Sequence, residues 1–443
     1  MKTIIILFIF SFIYFFCQSS YSQCPTCYGE QVSGVTTSLN SVSFIGNFEP
    51  VQAWICGANG VVLKTSNAGV NWLSAGSNIP LNVNLVTISC KSLDTALTAG
   101  NIGTTTYAYR TTNGGANWIQ VFTQANGYIN AIFMRDSQTG FMEGNPVGGR
   151  WSLWKTTNAG ATWDSTGMYL QQSGSETGWN NSIMILNNNI VFGTNNSRIY
   201  KSVNFGLNWT AISTVPEVNS TALWIYADTT GYTYIQSGGS TLKYTTNGGS
   251  NWQSLSVPDT GNFVGMDPAY AGVSNGVLNQ PYEAYAVRNN SKIYFGGGTN
   301  YSSEYTAPSG IYNNIGSGII YMYGAHFSWA IRNNGGITRV SLFRGGAVRS
   351  ISAEIPKAYG LEQNYPNPFN PATKIRFDLK KEAFTTIKVY DVLGREVAVI
   401  VNEQLHPGVY EADFDASSLS SGIYYYRISA SDYSEVKKMV VIK

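Results

Sequence analysis

An all-β chain in two unequal parts is what the sequence predicts, and three observations predict it. Glycine is abundant, at 46 of 443 residues, and aromatic residues make up 14%, whereas charged residues make up only 12%. Such a composition suits short buried strands joined by tight turns and disfavours a helical bundle. An eight-residue pattern returns five times at a nearly constant interval. From residue 356 onward one residue in four is charged, against about one in twelve before it, and apolar and polar residues alternate cleanly. Basic residues number 27 against 25 acidic, without the basic excess of a nucleic-acid-binding protein. The two histidines, His326 and His406, exclude a multi-histidine metal centre and leave a serine–histidine triad one ring at a time. No cofactor is implied.

The elements follow in chain order. Lys2, the apolar run Ile4 to Phe16 and the small polar stretch to Ser22 read as a secretory signal peptide over residues 1–22. The run is too short for a membrane anchor, which needs about 20 apolar residues, and no transmembrane segment is expected in the mature chain. Cys17 leaves with the signal. Cys24, Cys27, Cys56 and Cys90 remain, with three possible pairings open in an oxidising compartment. Cys24-Pro-Thr-Cys27 has redox or metal spacing but no second half-site, and reads as a terminal disulfide or free thiols.

The repeated pattern is Thr/Ser-x-Asn-x-Gly-x-x-Trp. Its five copies place Asn67, Gly69 and Trp72; Asn113, Gly115 and Trp118; Asn158, Gly160 and Trp163; Asn204, Gly206 and Trp209; and Asn247, Gly249 and Trp252. The tryptophans are 46, 45, 46 and 43 residues apart. Asn can cap a turn, Gly can take a positive φ, and Trp opens the return strand with a large apolar face. A second turn recurs upstream, at Asp136–Gly140 and Asp228–Gly231. One period therefore reads as four strands, the size of one propeller blade. Arg332-Asn-Asn334-Gly-Gly336 reads as a fainter copy with Arg339 in place of tryptophan. Tyr285–Phe295 reads as the strand pattern of an unmarked repeat between. Residues 23–355 are thus expected to form a β-propeller, with seven blades favoured and six or eight possible.

The box resembles the Asp-box (BNR) hairpin of sialidase-like propellers, with asparagine where aspartate is usual. The fuller repeat resembles photosystem II assembly-factor-like propellers of secreted bacterial proteins. The resemblance implies structural turns at the blade periphery and says almost nothing about function.

The domain expected over 356–443 begins after the linker Ile355–Gly360. Six alternating runs between Lys374 and Ile442 imply a small Ig-like antiparallel β-sandwich. Leu361 to Pro371 with Pro366, Asn367 and Pro368, then Val389 to Gly394, Leu419 to Tyr424, and Lys438, Met439 and Lys443 resemble the type IX secretion sorting domain, type A. Gly394, Gly408 and Gly422 mark turns. The resemblance implies passage through the periplasm and then export by the type IX machinery, to the outer-membrane surface or the medium of a Gram-negative bacterium.

Chemistry is sparse. No spacing of Arg110, Arg135, Arg150, Arg198, Arg288, Arg332, Arg339, Arg344 and Arg349 singles out the three that a sialidase needs to clamp a carboxylate. Glu143, Glu176, Asp267 and Glu283 could supply a glycosidase pair, yet nothing brings two of them together, and no catalytic or metal residue is assigned. Once the box tryptophans are discounted as packing residues, Trp54, Trp151, Trp224 and Trp329 fall in strand-like runs. Trp179 stands in a polar stretch as the candidate ligand contact. The expectation is a surface binding protein for a glycan or a protein. The alternatives are a glycan-active hydrolase and a docking factor for another exported protein.

Overall fold

The computed structural model describes residues 26–442, except 46–51, 216, 229–230, 240, 246, 269–272, 275–276, 279–283, 298–299, 321–324, 344–347, 353 and 417–418. The signal peptide, Cys24, Glu283 and Lys443 lie outside the described residues, and no helix occurs among those described. Two compact units divide at Phe343/Arg344.

The larger unit is a succession of antiparallel sheets, numbered here by the order of their first strands. Sheet 1 runs Leu39–Ile45, Gln52–Gly57, Val62–Thr65, Leu73–Ser74, and sheet 2 runs Asn84–Cys90, Ala96–Ile102, Thr105–Thr111, Ile119–Ala125. Sheet 3 has Ile129–Met134, Gly140–Val147 and Arg150–Thr156. Its outer edge is reduced to isolated bridges, Lys155 to Asp164 and Arg150 to Gln171. Sheets 4 and 5 begin with Gly178–Leu186 and Ala222–Asp228 and keep four strands each. Sheet 6 begins with Phe263–Pro268, and a two-stranded hairpin, Val273–Ser274 with Val277–Leu278, precedes its second strand. Sheet 7 is Tyr312–Ile320, Ala325–Arg332, Ile337–Phe343 and, as its fourth strand, Thr26–Gln31 from the start of the chain. The first strand of each sheet packs on the first strand of the next, and that of sheet 7 packs on that of sheet 1, so the ring closes.

Each box occupies the turn that follows the third strand of sheets 1 to 5. In sheet 2 the Thr111 hydroxyl donates to Asn113 Oδ1 (2.9 Å) and accepts from Gly115 N (3.0 Å), while Asn113 Oδ1 also accepts from Asn117 N (3.0 Å). The same three bonds recur at Thr65, Thr156, Ser202 and Thr245. The box glycines take φ from 77° to 93°. They are also contact points between sheets, since a Cβ on Gly115 would lie 2.2 Å from Ala75 O of sheet 1 and one on Gly206 2.6 Å from Phe141 of sheet 3. Each box tryptophan leans the same way. Trp118 meets Trp54 edge-on at 5.9 Å, Trp72 meets Trp329 at 5.7 Å, and Trp209 packs on Phe141 and Phe192. Trp163 and Trp252 cover clusters that include Leu97 and Val191 of the sheet before. The repeat is thus the joint between neighbouring sheets.

Ring closure depends on two residues of the N-terminal strand. Gln31 Oε1 accepts from Trp72 Nε1 of sheet 1 (3.1 Å) and Trp329 Nε1 of sheet 7 (2.7 Å), and Gln31 Nε2 donates to Ala68 O (3.1 Å). Glu30 accepts from the Arg332 guanidinium, Thr338 Oγ1 (2.6 Å) and Tyr305 OH (3.0 Å), and the bonds to Arg332 and Thr338 hold its carboxyl below the usual range against the cost of burial.

Two sequence expectations need correction. Arg332–Gly336 is not a box. It turns between the second and third strands of sheet 7, where Arg288–Ser291 turns in sheet 6. Asn and Gly serve equally in both turn types, so composition did not separate them. Arg339 does not replace a tryptophan but reaches Ala68 O of box 1 (3.4 Å), as Lys64 reaches Gly114 O of box 2 (2.6 Å) and Arg110 reaches Ala159 O of box 3 (2.8 Å).

In the smaller unit, two four-stranded sheets share one core. One sheet has the order Val348–Ser352, Gly408–Asp415, Ala372–Leu379, Gly360–Leu361, and the other Glu396–Leu405, Ala383–Tyr390, Gly422–Ala430, Tyr433–Val441. Phe377, Ile387, Val389, Ile428 and Met439 are fully buried between them. Val348–Ser352 pairs with Gly408–Asp415, so this unit starts ahead of the boundary at 356 that composition suggests. Asn367 ties its loop to the last strand, accepting from Val440 N (2.9 Å) and donating to Lys438 O (3.3 Å). Lys438 is exposed and its neighbour Met439 buried. Gly394 takes φ 76° in a turn organised by Asp391, and Gly408 and Gly422 each open a strand.

Candidate functional site

The first strands of the ring have one edge on a sheet and the other toward the centre. An unpaired inner edge leaves backbone groups without partners. Alternate Ser and Thr side chains satisfy several of them across sheet boundaries. Ser41 and Ser43 accept from Ile88 N (3.3 Å) and Cys90 N (3.1 Å), and Thr87 and Ser89 accept from Ile132 N (3.1 Å) and Met134 N (2.9 Å). Ser182 donates to Ser220 O (2.7 Å), and Thr221 donates to Phe263 O.

Inside this ring of hydroxyls lies a cavity of about 290 Å³ to which six of the sheets contribute, together with Thr221 at the entry to sheet 5. Its lining includes Ser41–Phe44, Ile88–Lys91, Ala131–Met134, Asn181 with Ile183 and Met184, Thr221, Val264–Met266, and Asn314 with Ile315. Where the first strands begin, a bulge between Gly178 and Ile183 carries Asn181 across the ring at φ 59°. Asn181 Nδ2 donates to Asn40 O (3.2 Å) and Val86 O (3.0 Å), and its Oδ1 accepts from Ser41 Oγ (3.0 Å). Sheet 4 thereby touches sheets 1 and 2 over the centre, which obstructs that end of the channel.

At the other end, where the first strands finish, a cavity of about 540 Å³ shares Lys91 and Phe133 with the first and adds Arg135, Ile185, Asn187 and Asn188. The Lys91 ammonium stands 5.9 Å from the centre of the Phe133 ring. Loss of water around Lys91 lowers its pKa, opposed by the attraction of Asp136. Arg135 is engaged: its Nε meets Asp136 Oδ2 (3.2 Å), its Nη1 donates to Asn188 Oδ1 (2.8 Å), and its plane lies 4.6 Å from the Phe205 ring. Asp136 Oδ1 accepts the backbone N–H groups of Gln138 and Thr139, and these turn bonds hold its carboxyl below the usual range.

The candidate carboxylates lie elsewhere. Glu176 is a structural hub that accepts from Trp151 Nε1 (3.1 Å), Tyr200 OH (2.7 Å) and Ser173 N (2.8 Å), with Arg198 Nε at 3.6 Å. Burial and that carboxylate push Tyr200 up to about 12. Glu143 is buried in sheet 3, with Asn130 Nδ2 donating at 3.2 Å, and burial pushes its carboxyl up to about 8. Buried Asp267 accepts from Ser328 Oγ. No carboxylate is among the described residues lining either cavity. Trp179 begins a strand rather than a polar loop, because Gly178 pairs with Thr194, and it is half-buried with its Nε1 covered and unbonded. Trp54, Trp151 and Trp329 are core residues. Cys56 and Cys90 are free, buried thiols pushed up to about 12 by burial.

Sequence reasoning missed the hydroxyl ring and Asn181. The signal for the first was present, as Ser-x-Ser in Ser41–Ser43 and Thr-x-Ser in Thr87–Ser89. The second needed the opposite side of the ring.

A closed ring of antiparallel sheets around a central channel defines the class: the chain is a β-propeller protein with a separate export unit. Residues 363–443 match the family described as secretion system C-terminal sorting domain, so the protein engages the type IX secretion machinery and is secreted or displayed at the surface of a Gram-negative bacterium. No described helix is long and apolar enough to cross a membrane. No curated protein matches the chain. Among solved structures, YCF48 bound to a D1 peptide superposes with a TM-score of 0.53 at 15% identity, over 71% of this chain and 96% of that one, which shows the fold. The extracellular domain of a one-component system from B. thetaiotaomicron gives 0.47 at 12% identity, over 93% of this chain and 57% of that one. PorZ, described as an essential bacterial surface component of the type-IX secretion system of Porphyromonas gingivalis, gives 0.41 at 12%, over 90% of this chain and 59% of that one.

Proposed function

We propose that the larger unit is a seven-bladed, non-catalytic binding propeller carried to the cell surface by the sorting unit. Its ligand enters the channel from the end bearing Lys91 and Arg135. The observation that carries this reading is the cavity itself, lined by the first strands of six sheets and by Thr221 at the entry to sheet 5, obstructed at one end by Asn181, and without a carboxylate among its described lining. A glycosidase needs two opposed carboxyl groups at the substrate. Apolar walls with a few convergent polar groups are instead the usual make-up of a binding pocket. Met134, Met184 and Met266 add adaptable surface of the kind that receives protein side chains, which favours a protein ligand over a glycan. The peptide in the YCF48 structure supports a protein ligand only by analogy of fold.

The test is calorimetric titration of the full exported chain with pooled short peptides and with pooled bacterial and plant polysaccharides. The reading predicts saturating heat with peptides, abolished in Met184→Trp, whose larger ring narrows the channel at its wall. Sustained heat after each injection means turnover and refutes it.

A further inference from the structure

The channel reading leaves open what selects the ligand, and the mouth supplies a chemical answer. Two cations stand there, and among the described residues only Arg135 has hydrogen-bond and ion-pair partners for its charge. Arg135 is held by Asp136, Asn188 and the Phe205 ring. Asp136 is in turn held by its own turn N–H groups. The Lys91 ammonium makes no hydrogen bond or ion pair among the described residues and meets only the face of the Phe133 ring. It belongs to the walls of both cavities, so its charge stands at the point where the mouth narrows into the channel. Phe133 lies beside it and Ile185 across the mouth, walls of low polarity that strengthen a charge interaction relative to open solvent.

We propose that the mouth recognises an acidic side chain of an extended protein segment, with Lys91 as the contact. An adjacent apolar side chain of that segment enters the channel. The proposal rests on the channel reading above. An acidic polysaccharide could satisfy the cation but has no apolar side chain for Val42, Ile132, Met184 and Met266 to receive, and this decides for a protein segment. Arg135 acts as a positioning residue. Its bond to Asn188 joins the turns of sheets 3 and 4, and so fixes the width of the mouth.

The experiment titrates the full chain with a pool of short peptides each bearing one glutamate beside a leucine, with the same pool carrying glutamine, and with polygalacturonate. The glutamate pool should bind, and the glutamine pool roughly tenfold more weakly, the order of one charge pair at a partly dry site. Lys91→Ala should bring glutamate binding down to the glutamine level, and Lys91→Glu should reverse the preference. Raised salt should narrow the gap between the pools. Lys91 is exposed on a turn, and thermal melting of each variant verifies its fold. Equal binding of the two pools, or an unchanged preference in Lys91→Glu, overturns the proposal while the channel reading stands if Met184→Trp still abolishes binding. Binding that survives Met184→Trp overturns the channel reading itself. Binding of polygalacturonate without the peptides overturns the choice of a protein ligand.

Discussion

Glu143→Gln should stabilise the propeller above neutral pH and leave it nearly unchanged in acid. Glu143 is 1% exposed on the second strand of sheet 3, opposite Ala131 and Leu153. Its Oε1 accepts from Asn130 Nδ2 (3.2 Å), whose other hydrogen goes to Asn145 Oδ1 (2.9 Å). Gly178 closes the space, since a Cβ there would lie 2.7 Å from Glu143 Oε1. Burial raises the carboxyl from 4.5 to about 8. The folded chain therefore keeps a proton that the unfolded chain releases near pH 4.5. The contribution is fully present below that pH and is lost as pH rises toward 8. At about 1.4 kcal/mol per unit, the span corresponds to a loss on the order of 3–5 kcal/mol by pH 8. Glutamine keeps the shape and cannot ionise, so it removes the loss. Urea denaturation of the full chain at pH 4, 6 and 8.5, following the propeller transition by tryptophan fluorescence, measures the difference. A wild-type-minus-variant difference that is flat with pH refutes the reasoning.

Three further outcomes follow from the joints between sheets. Gly115→Ala should cost about 2–4 kcal/mol, because a positive φ and a close approach to Ala75 O coincide there, whereas Gly103→Ala, also at positive φ but with open space around it, should cost only about 1 kcal/mol by melting. Thr111→Ala should cost about 1–2 kcal/mol by losing the hydroxyl bonds to Asn113 and Gly115, and Thr111→Ser, the residue found at Ser202, should recover most of that in the same measurement. Gln31→Ala leaves two indole N–H groups without their acceptor and should cost about 2–4 kcal/mol, with faster proteolysis of the N-terminal strand as the second readout.

Much of the architecture was legible because it repeats. Thr, Asn, Gly and Trp recur at fixed offsets since each sheet needs the same turn and the same joint to its neighbour, so Thr111, Asn113 and Gly115 read identically in five places. The same logic misled at Arg332–Gly336, where an Asn-Gly turn serves a different hairpin. The closing strand Thr26–Gln31 has no local sign of its partner, because its pairing with Ile337–Phe343 spans almost the whole propeller. Composition placed the second boundary near Pro356, but Val348–Ser352 pairs across a sheet with Gly408–Asp415, and pairing rather than charge density decides where a unit begins. The channel was the least legible part. Its residues come one stretch per sheet, and Asn181 acquires meaning only from Asn40 and Val86 opposite.

The central claim is that ligand binds inside the ring, and hydrogen exchange of the full chain with and without a saturating peptide ligand tests it most directly. The account predicts new protection confined to the channel lining and its mouth: Ser41–Phe44, Ile88–Lys91, Ala131–Arg135, Ile183–Ile185, Val264–Met266 and Asn314–Ile315. Protection on the box turns or the outer strands, with these stretches unchanged, contradicts it.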